Sequence, residues 1–244
     1  MGKVITICQN KGGVGKTTLA FNLAECLAKR KKKVLLLDTD AQANLTSYFA
    51  SEDTDYSGVQ LYDAMINDTK LKPAKTINEN ISIVPADLRL SDIDYSLAQK
   101  FARETILASK VRMLADDFDY IIIDTAPNLG LLTINSLLCA DSLLIPLIPE
   151  PFSVQGLNMI RTLLKRLNEA MHKDFKMHIV LQKVKNTSLH KEMESELRSA
   201  YGDAVCKQTI KDGIKYAEKS IQSEMNNAYE YTALTEEVMN INKD

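Results

Sequence analysis

An apolar run, Val4 to Cys8, passes through Gln9-Asn10-Lys11-Gly12-Gly13-Val14-Gly15-Lys16-Thr17-Thr18 into a segment of helical period that ends at Lys29. Few backbone geometries accept three glycines and two lysines between a strand and a helix. Without Cβ atoms, Gly12, Gly13 and Gly15 let the chain curl through positive φ and aim successive N–H groups at one point beside a helix N-terminus, where the dipole favours an anion. The unit predicts a strand, a turn and a helix whose turn cradles phosphate, with Gly12, Gly13, Val14, Gly15, Lys16, Thr17 and Thr18 as nucleotide-binding residues. Lys16 is expected at the β and γ phosphates and Thr18 at the α-phosphate. Thr17 offers a hydroxyl to Mg2+, a hard ion that prefers oxygen ligands.

The strict form of such a P-loop, G-x-x-x-x-G-K-[ST], has its first glycine where this chain has Asn10. Asparagine is the next most tolerant residue of left-handed backbone, so the departure is physically mild. Further along, short apolar runs alternate with longer segments of helical period, the pattern of an α/β fold: a mostly parallel twisted sheet with helices on both faces. Strands are expected at Val4 to Cys8, Val34 to Asp38, Ile81 to Pro85, Tyr120 to Asp124, Ser142 to Leu147 and His178 to Val184. Helices are expected at Thr17 to Lys29, Asp92 to Lys100, Glu104 to Asp116, Gly130 to Ala140, Ser153 to Ala170, Ser188 to Tyr201 and Tyr229 to Asn240, with Ser51 to Gly58 a polar loop. With 244 residues and no low-complexity linker, one P-loop ATPase domain over 1–244 is expected.

Two of these strands end in acids. Val34-Leu35-Leu36-Leu37-Asp38-Thr39-Asp40 places two carboxylates on the same side of an extended backbone, and Tyr120-Ile121-Ile122-Ile123-Asp124 ends in a third. Ligands of open α/β sheets bind beyond the carboxyl ends of the strands, where the glycine loop also lies, so all three acids are expected to converge on a magnesium nucleotide. No Ser or Cys nucleophile is apparent. Phosphoryl transfer to water needs none, being mostly positioning and charge stabilisation.

No apolar run reaches the roughly 18 residues of a membrane span, and the start lacks a signal-peptide core, so a cytoplasmic protein without membrane contact is expected. Cys8, Cys26, Cys139 and Cys206 are scattered without metal-site spacing and read as reduced thiols. A net charge of -2 argues against wholesale coating of nucleic acid, yet residues 160–219 hold 13 Lys and Arg against 8 Asp and Glu. In that region Lys183, Lys185, Lys191, Arg198, Lys211, Lys215 and Lys219 are candidates for neutralising DNA phosphates, with solvated surface cations as the competing reading. The run Lys29-Arg30-Lys31-Lys32-Lys33 reads instead as closure of the first helix, where cations complement the dipole.

From Lys11 to Thr17 the loop resembles the deviant Walker A motif, K-G-G-x-G-K-[ST], of the ParA and MinD superfamily. Asp38-Thr39-Asp40-Ala41-Gln42-Ala43-Asn44 is similar to the ParA switch I sequence D-x-D-P-Q-G-N, with Ala41 and Ala43 where Pro and Gly are usual. From Asp124 through Leu157 the chain is similar to the family's switch II and the stretch immediately after it. The resemblance spans roughly residues 3–240 and implies a ParA-type partition ATPase using ATP and Mg2+. It implies Lys11, Lys16 and Asp40 as catalytic residues, with Lys11 crossing into the facing subunit of an ATP-bound homodimer and Asp40 orienting the attacking water. It also implies a metal shell of Thr17, Asp38 and Asp124, the last mainly through water. The implied partners are non-specific DNA and a ParB-like centromere-binding activator, and the implied place is the nucleoid. The helix-turn-helix domain of longer partition ATPases is not expected ahead of a first strand that starts near residue 3. MinD-like positioning ATPases end in a basic membrane helix, whereas Tyr229 to Asp244 is acidic. Nitrogenase-reductase-like members need paired cysteines, which Cys139 alone does not supply. An ATP-dependent metabolic ligase resembling dethiobiotin synthetase stays open as the alternative from another class, and a scaffold without hydrolysis as a third that Asp40 disfavours.

Overall fold

The computed structural model describes residues 1–49, 60–76, 78–151, 153–213 and 229–242. The strands are β1 (Lys3–Ile7), β2 (Val34–Thr39), β3 (Ala74–Lys75), β4 (Ile81–Val84), β5 (Tyr120–Thr125), β6 (Ser142–Leu147) and β7 (Lys176–Leu181). The helices are α1 (Lys16–Lys29), α2 (Asn44–Phe49), α3 (Leu61–Ile66), α4 (Ile93–Ala98), α5 (Ile106–Arg112), α6 (Leu131–Cys139), α7 (Ser153–Met171), α8 (Ser188–Tyr201) and α9 (Tyr229–Ile241). The sheet runs β3-β4-β2-β5-β1-β6-β7 and is parallel except at its edge, where β3 lies antiparallel to β4.

The central strands are unbroken apolar runs because both of their faces are buried. Val34 and Leu36 enter one core with Ile5, Ile7 and Ile122, while Leu35 and Leu37 turn to another with Val4, Ile121 and Ile123. α1, α2 and α9 pack on the first of these cores, α3 to α6 on the second, and α7 and α8 on a third beside β6 and β7. The ladder sets Asp38 of β2 beside Asp124 of β5, with Ile7, the last residue of β1, on the other flank of Asp124. Two hydroxyls lock these strand ends: Thr39 Oγ1 donates to the Asp124 carbonyl at 2.7 Å and Thr125 Oγ1 to that of Ile7 at 2.9 Å.

Several elements differ from their sequence patterns for local reasons. β7 stops at Leu181, not Val184, because its pairing with β6 runs from Ser142 and Lys176 to Leu147 and Leu181. The helix expected from Asp92 to Lys100 is found as α4, slightly shorter, after a 3₁₀ turn over Leu88–Asp92 whose cap is the Asp87 carboxylate accepting the Arg89 N–H. α5 is shorter than Glu104 to Asp116. The short elements α2, α3 and β3 were not expected. The loop Ser51 to Gly58 falls outside the described residues. The lysine-rich run does close α1: Arg30 is its C-cap and donates to the Cys26 carbonyl at 3.0 Å and to Glu236 at 2.9 Å.

Candidate nucleotide site

β1 delivers the chain to the carboxyl edge of the sheet, where Gln9 fixes the entry to the loop. Its Oε1 accepts the Asn10 N–H at 2.9 Å and its Nε2 donates to the Pro146 carbonyl at 3.4 Å. Within the loop only Gly13 (φ 72) and Gly15 (φ 93) use left-handed backbone. Gly12 and Asn10 do not, which corrects the expectation that all three glycines serve the curl and removes any need for asparagine's tolerance. Gly15 is constrained twice, since a Cβ there would also meet Gln182 Oε1 at 2.3 Å. Val14 is buried, and Lys16 opens α1 at 7% exposure. Burial pulls the Lys16 pKa down, against the opposing pull of Asp124, Cys8 and Asp40.

The three acids have separate roles. Asp38 is fully engaged within its own loop: Oδ2 accepts the N–H and the hydroxyl of Thr46, each at 2.8 Å, and Oδ1 accepts the Asp40 N–H at 3.1 Å. Burial pushes its pKa up to about 6. Its bonds hold residues 40–46 in place, so Asp38 anchors that loop. Asp124 is 1% exposed, accepts a hydrogen bond from the Thr17 hydroxyl, and keeps Oδ1 without a partner. Burial, and next the neighbouring Asp38, hold its carboxyl far above the usual carboxylate range. Asp40 lines the cavity above and its Oδ1 accepts the Gln42 N–H at 3.0 Å. Among the described residues no three acid, histidine or cysteine groups form a cation cage. What remains, a hydroxyl beside an unpartnered buried carboxylate oxygen under a phosphate cradle, suits a small hard cation that keeps waters and phosphates in its shell.

A cavity of about 570 Å³ opens over the loop. Gly12, Gly13, Gly15, Lys16, Thr17 and Thr18 line it from the loop, and Gln182, Lys183, Ile210, Lys211, Asp212, Gly213 and Tyr231 from the exit of β7, the segment after α8, and α9. Some of the residues that charge suggested for DNA have partners at or near this cavity. Lys183 and Lys211 are cavity walls, and Lys183 Nζ donates to the Gly13 carbonyl at 2.8 Å. The Arg198 guanidinium donates to Glu194 and to the carbonyls of Cys206 and Lys207, tying α8 to the segment after it. Lys185 and Lys191 are exposed, the former 3.7 Å from Asp212, while Lys215 and Lys219 fall outside the described residues. Gln182, Ile210, Asp212, Gly213 and Tyr231 escaped sequence reasoning because they belong to no motif. A glutamine closing an apolar strand was their faint signal. At the outer lip, Lys11 turns away from its own cradle and pairs with Glu150 at 2.9 Å, holding that carboxyl below its usual range.

A family model described as an AAA domain matches residues 2–177. The sporulation initiation inhibitor protein Soj of Bacillus subtilis is 34% identical over 223 residues, covering 89% of this chain and 87% of that protein. The chain belongs to the ParA/Soj family of partition ATPases. A plasmid partition protein from Borrelia burgdorferi B31 bound to AMPPNP matches this ParA-type fold at a TM-score of 0.85 and 26% identity, over 98% of this chain and 99% of that one. A cobyrinic acid a,c-diamide synthase from Mycobacterium smegmatis with bound ATP analogue and magnesium reaches 0.85 at 24% identity, over 98% and 95%. Fold alone therefore does not separate partition from metabolism; the sequence identity does. In this ParA-type chain, Ala43 stands at the usual switch I glycine and takes φ 51, a left-handed conformation. Among the described residues no helix is long and apolar enough to cross a membrane.

Proposed function

We propose that this ATPase is a magnesium-ATP-dependent dimerisation switch that binds DNA without sequence preference, acts on the nucleoid in the cytoplasm, and is reset by a ParB-like centromere-binding activator. The observation that carries the chemistry is the unpartnered Asp124 Oδ1 beside Thr17 at the foot of the glycine loop. Thr17 would hold Mg2+ directly and Asp124 through water, and the ion supplies neutralising charge between the β and γ phosphates. Lys16 adds a fixed cation to the same oxygens. Asp40, on the cavity side, accepts a hydrogen bond from the attacking water and orients it, while Asp38 holds Asp40 by its backbone N–H. Because this chemistry is positioning and electrostatics, the unaided rate should be slow, on the order of 10⁻⁴ to 10⁻² s⁻¹.

Lys11 supports the dimer reading. Its pair with Glu150 is about 40% exposed, and such pairs are worth only about 0–1 kcal/mol. A phosphate presented by a facing subunit can draw the ammonium away. Hydrolysis then removes charge that Lys11 neutralises, and the subunits part. DNA contact rests on the locally basic region, two copies of which in a dimer bind more phosphates together than either alone. The candidates for these contacts are Lys183, Lys185, Lys191, Arg198, Lys211, Lys215 and Lys219.

The test is fluorescence anisotropy with two unrelated duplexes at several salt concentrations, in ATP, ADP or no nucleotide, using the wild type and Asp40→Ala. ATP should favour binding to both duplexes, with affinity falling steeply in salt. Asp40→Ala should stay on DNA while its hydrolysis drops about 100-fold. Equal binding in all nucleotide states would remove the switch and favour a metabolic ligase.

A further inference from the structure

Besides the glycine loop, two other loops border the cavity. One follows β2 and carries Asp40 and Gln42, the other follows β5 and carries Pro127, and all three residues line the cavity. The two loops are distant in the chain, yet hydrogen bonds lead from one to the other. Thr46 is 7% exposed and its hydroxyl is used twice: it donates to Asp38 Oδ2 at 2.8 Å and accepts the Ala86 N–H at 3.0 Å. Asp38 in turn holds the Asp40 N–H through Oδ1 at 3.1 Å. Ala86 lies beyond β4, whose ladder with β2 ends at Val84 and Leu37. From there the chain passes through the 3₁₀ turn into α4, anchored in the second core by Leu90, Ile93 and Leu97. Asp94 completes the path: its Oδ1 accepts the N–H of Leu132, in the first turn of α6, at 3.0 Å, and a Cβ on Gly130 would collide with its Oδ2. Gly130 takes φ -76, open to any residue, so it is the approach of Asp94 and not the backbone that asks for glycine there. A carboxylate at this place meets an orphan N–H and the positive end of the helix dipole.

We propose that Thr46 is a positioning residue for ATP hydrolysis, and that residues 86–94 form a strut joining the loop of Asp40 to the loop of Pro127, so that a shift of either loop is felt by the other. The proposal rests on the reading of Asp40 as the residue that orients the attacking water. Without the Thr46 hydroxyl, the buried Ala86 N–H loses its acceptor and Asp38 loses one of the two donors that fix its Oδ2. Asp38 then holds the Asp40 backbone less firmly. A small displacement of a water-orienting carboxylate is costly, because hydrolysis depends on positioning. Gly13, Gly15, Lys16 and Thr17 lie outside this path, so the grip on the phosphates is spared. The strut can pass a displacement along because both of its ends are hydrogen-bonded and its middle is packed in the core.

Steady-state hydrolysis of magnesium ATP by the full chain tests both parts. Thr46→Val, which keeps the shape and loses the hydroxyl, should lower kcat about tenfold with KM within about twofold of the wild type. Thr46→Ser should recover most of the rate. Asp94→Ala at the other end of the strut should lower kcat about three- to fivefold. The double variant should lose about tenfold, less than the product of the single losses, because either substitution already frees the strut. Losses that multiply overturn the coupling. Wild-type kcat in Thr46→Val, a loss carried entirely by KM, or a Thr46→Ser protein as slow as Thr46→Val overturns the positioning role. Thr46→Ala is measured beside Thr46→Val, with circular dichroism on each; if neither folds, Thr46 serves stability and the positioning role falls. Asp40→Ala in the same assay keeps the two readings apart. Undiminished hydrolysis there would sink the water-orienting role itself, whereas a slow Asp40→Ala beside a fast Thr46→Val sinks only the role of Thr46.

Discussion

Two parts of the lining of the nucleotide cavity are built in opposite ways. The phosphate loop is one contiguous stretch, residues 12–18, in which Gly13 and Gly15 bend the backbone and Lys16 supplies charge. The rest of the lining is assembled from the exit of β7 and residues 210–213, joined to each other by backbone bonds, together with Tyr231 of α9, segments distant in the chain. Phosphate is bound by N–H groups and a cation, which any suitably bent loop provides locally. The rest of the lining needs particular side chains at particular strand exits, so its composition depends on where the β-ladder stops.

If binding energy is concentrated in the contiguous stretch, Lys16→Ala should weaken magnesium ATP about 100-fold or more, because it deletes a charge-assisted contact in a buried setting. Lys211→Ala in the assembled part should cost only about two- to threefold by comparison. Similar losses in a calorimetric titration of the two variants would erase the distinction between the two parts.

Lys11 extends the comparison to the lip of the phosphate loop, where the same stretch carries a cation that its own cradle does not use. Lys11→Ala should bind ATP within about threefold of the wild type yet form no ATP-dependent dimer on sedimentation, since Lys16 still serves the bound phosphates. Normal ATP-induced dimers in that variant would refute the role across the interface.

The buried acids beneath the loop give a pH-dependent contrast with the more open remainder of the lining. In protein free of metal and nucleotide, Asp38 has a folded pKa of about 6 and Asp124 is also raised, against about 3.9 in an unfolded chain. The folded state therefore holds protons that the unfolded state has released. This stability is fully present below the unfolded pKa and is lost as pH rises through the folded values. The melting temperature in chelator should fall between about pH 5 and pH 8, and Asp124→Asn, which cannot ionise, should reduce that fall and stabilise by about 1–2 kcal/mol at the upper end. The same variant should lose magnesium-dependent hydrolysis. A melting temperature that rises over this range would contradict the assignment.

The smallest expected effect tests a single backbone position beside the acids. Ala43 takes φ 51, at a cost of about 1–2 kcal/mol for a residue with a Cβ. Ala43→Gly should relieve that strain, with part of the gain offset by the greater freedom of glycine in the unfolded chain, for a net of about 0.5–1 kcal/mol in thermal unfolding. Destabilisation would mean that the Ala43 methyl, packed at the edge of the second core, contributes more than its backbone costs.

Much of the frame was legible in the order of residues. The runs of β2 and β5 are apolar throughout because both faces are covered, and the glycine loop lies between β1 and α1 as its pattern required. Such features are settled by neighbours a few residues away, through φ preferences, period and helix dipole. The destinations of long polar side chains were settled by contacts across the chain. Lys183 and Lys211 look like plain surface cations in the sequence; both are exposed, yet beyond the end of the β6–β7 ladder at Leu181 they line the cavity over the glycine loop, and Lys183 Nζ reaches the Gly13 carbonyl. Asp38 and Asp124 end two similar strands and lie side by side, but Thr46 satisfies the first and nothing among the described residues satisfies Oδ1 of the second. Local sequence sets which backbone shapes are available; which carboxylate is left for a cation, and which lysine reaches the loop, depends on partners brought close only by the packing of distant segments.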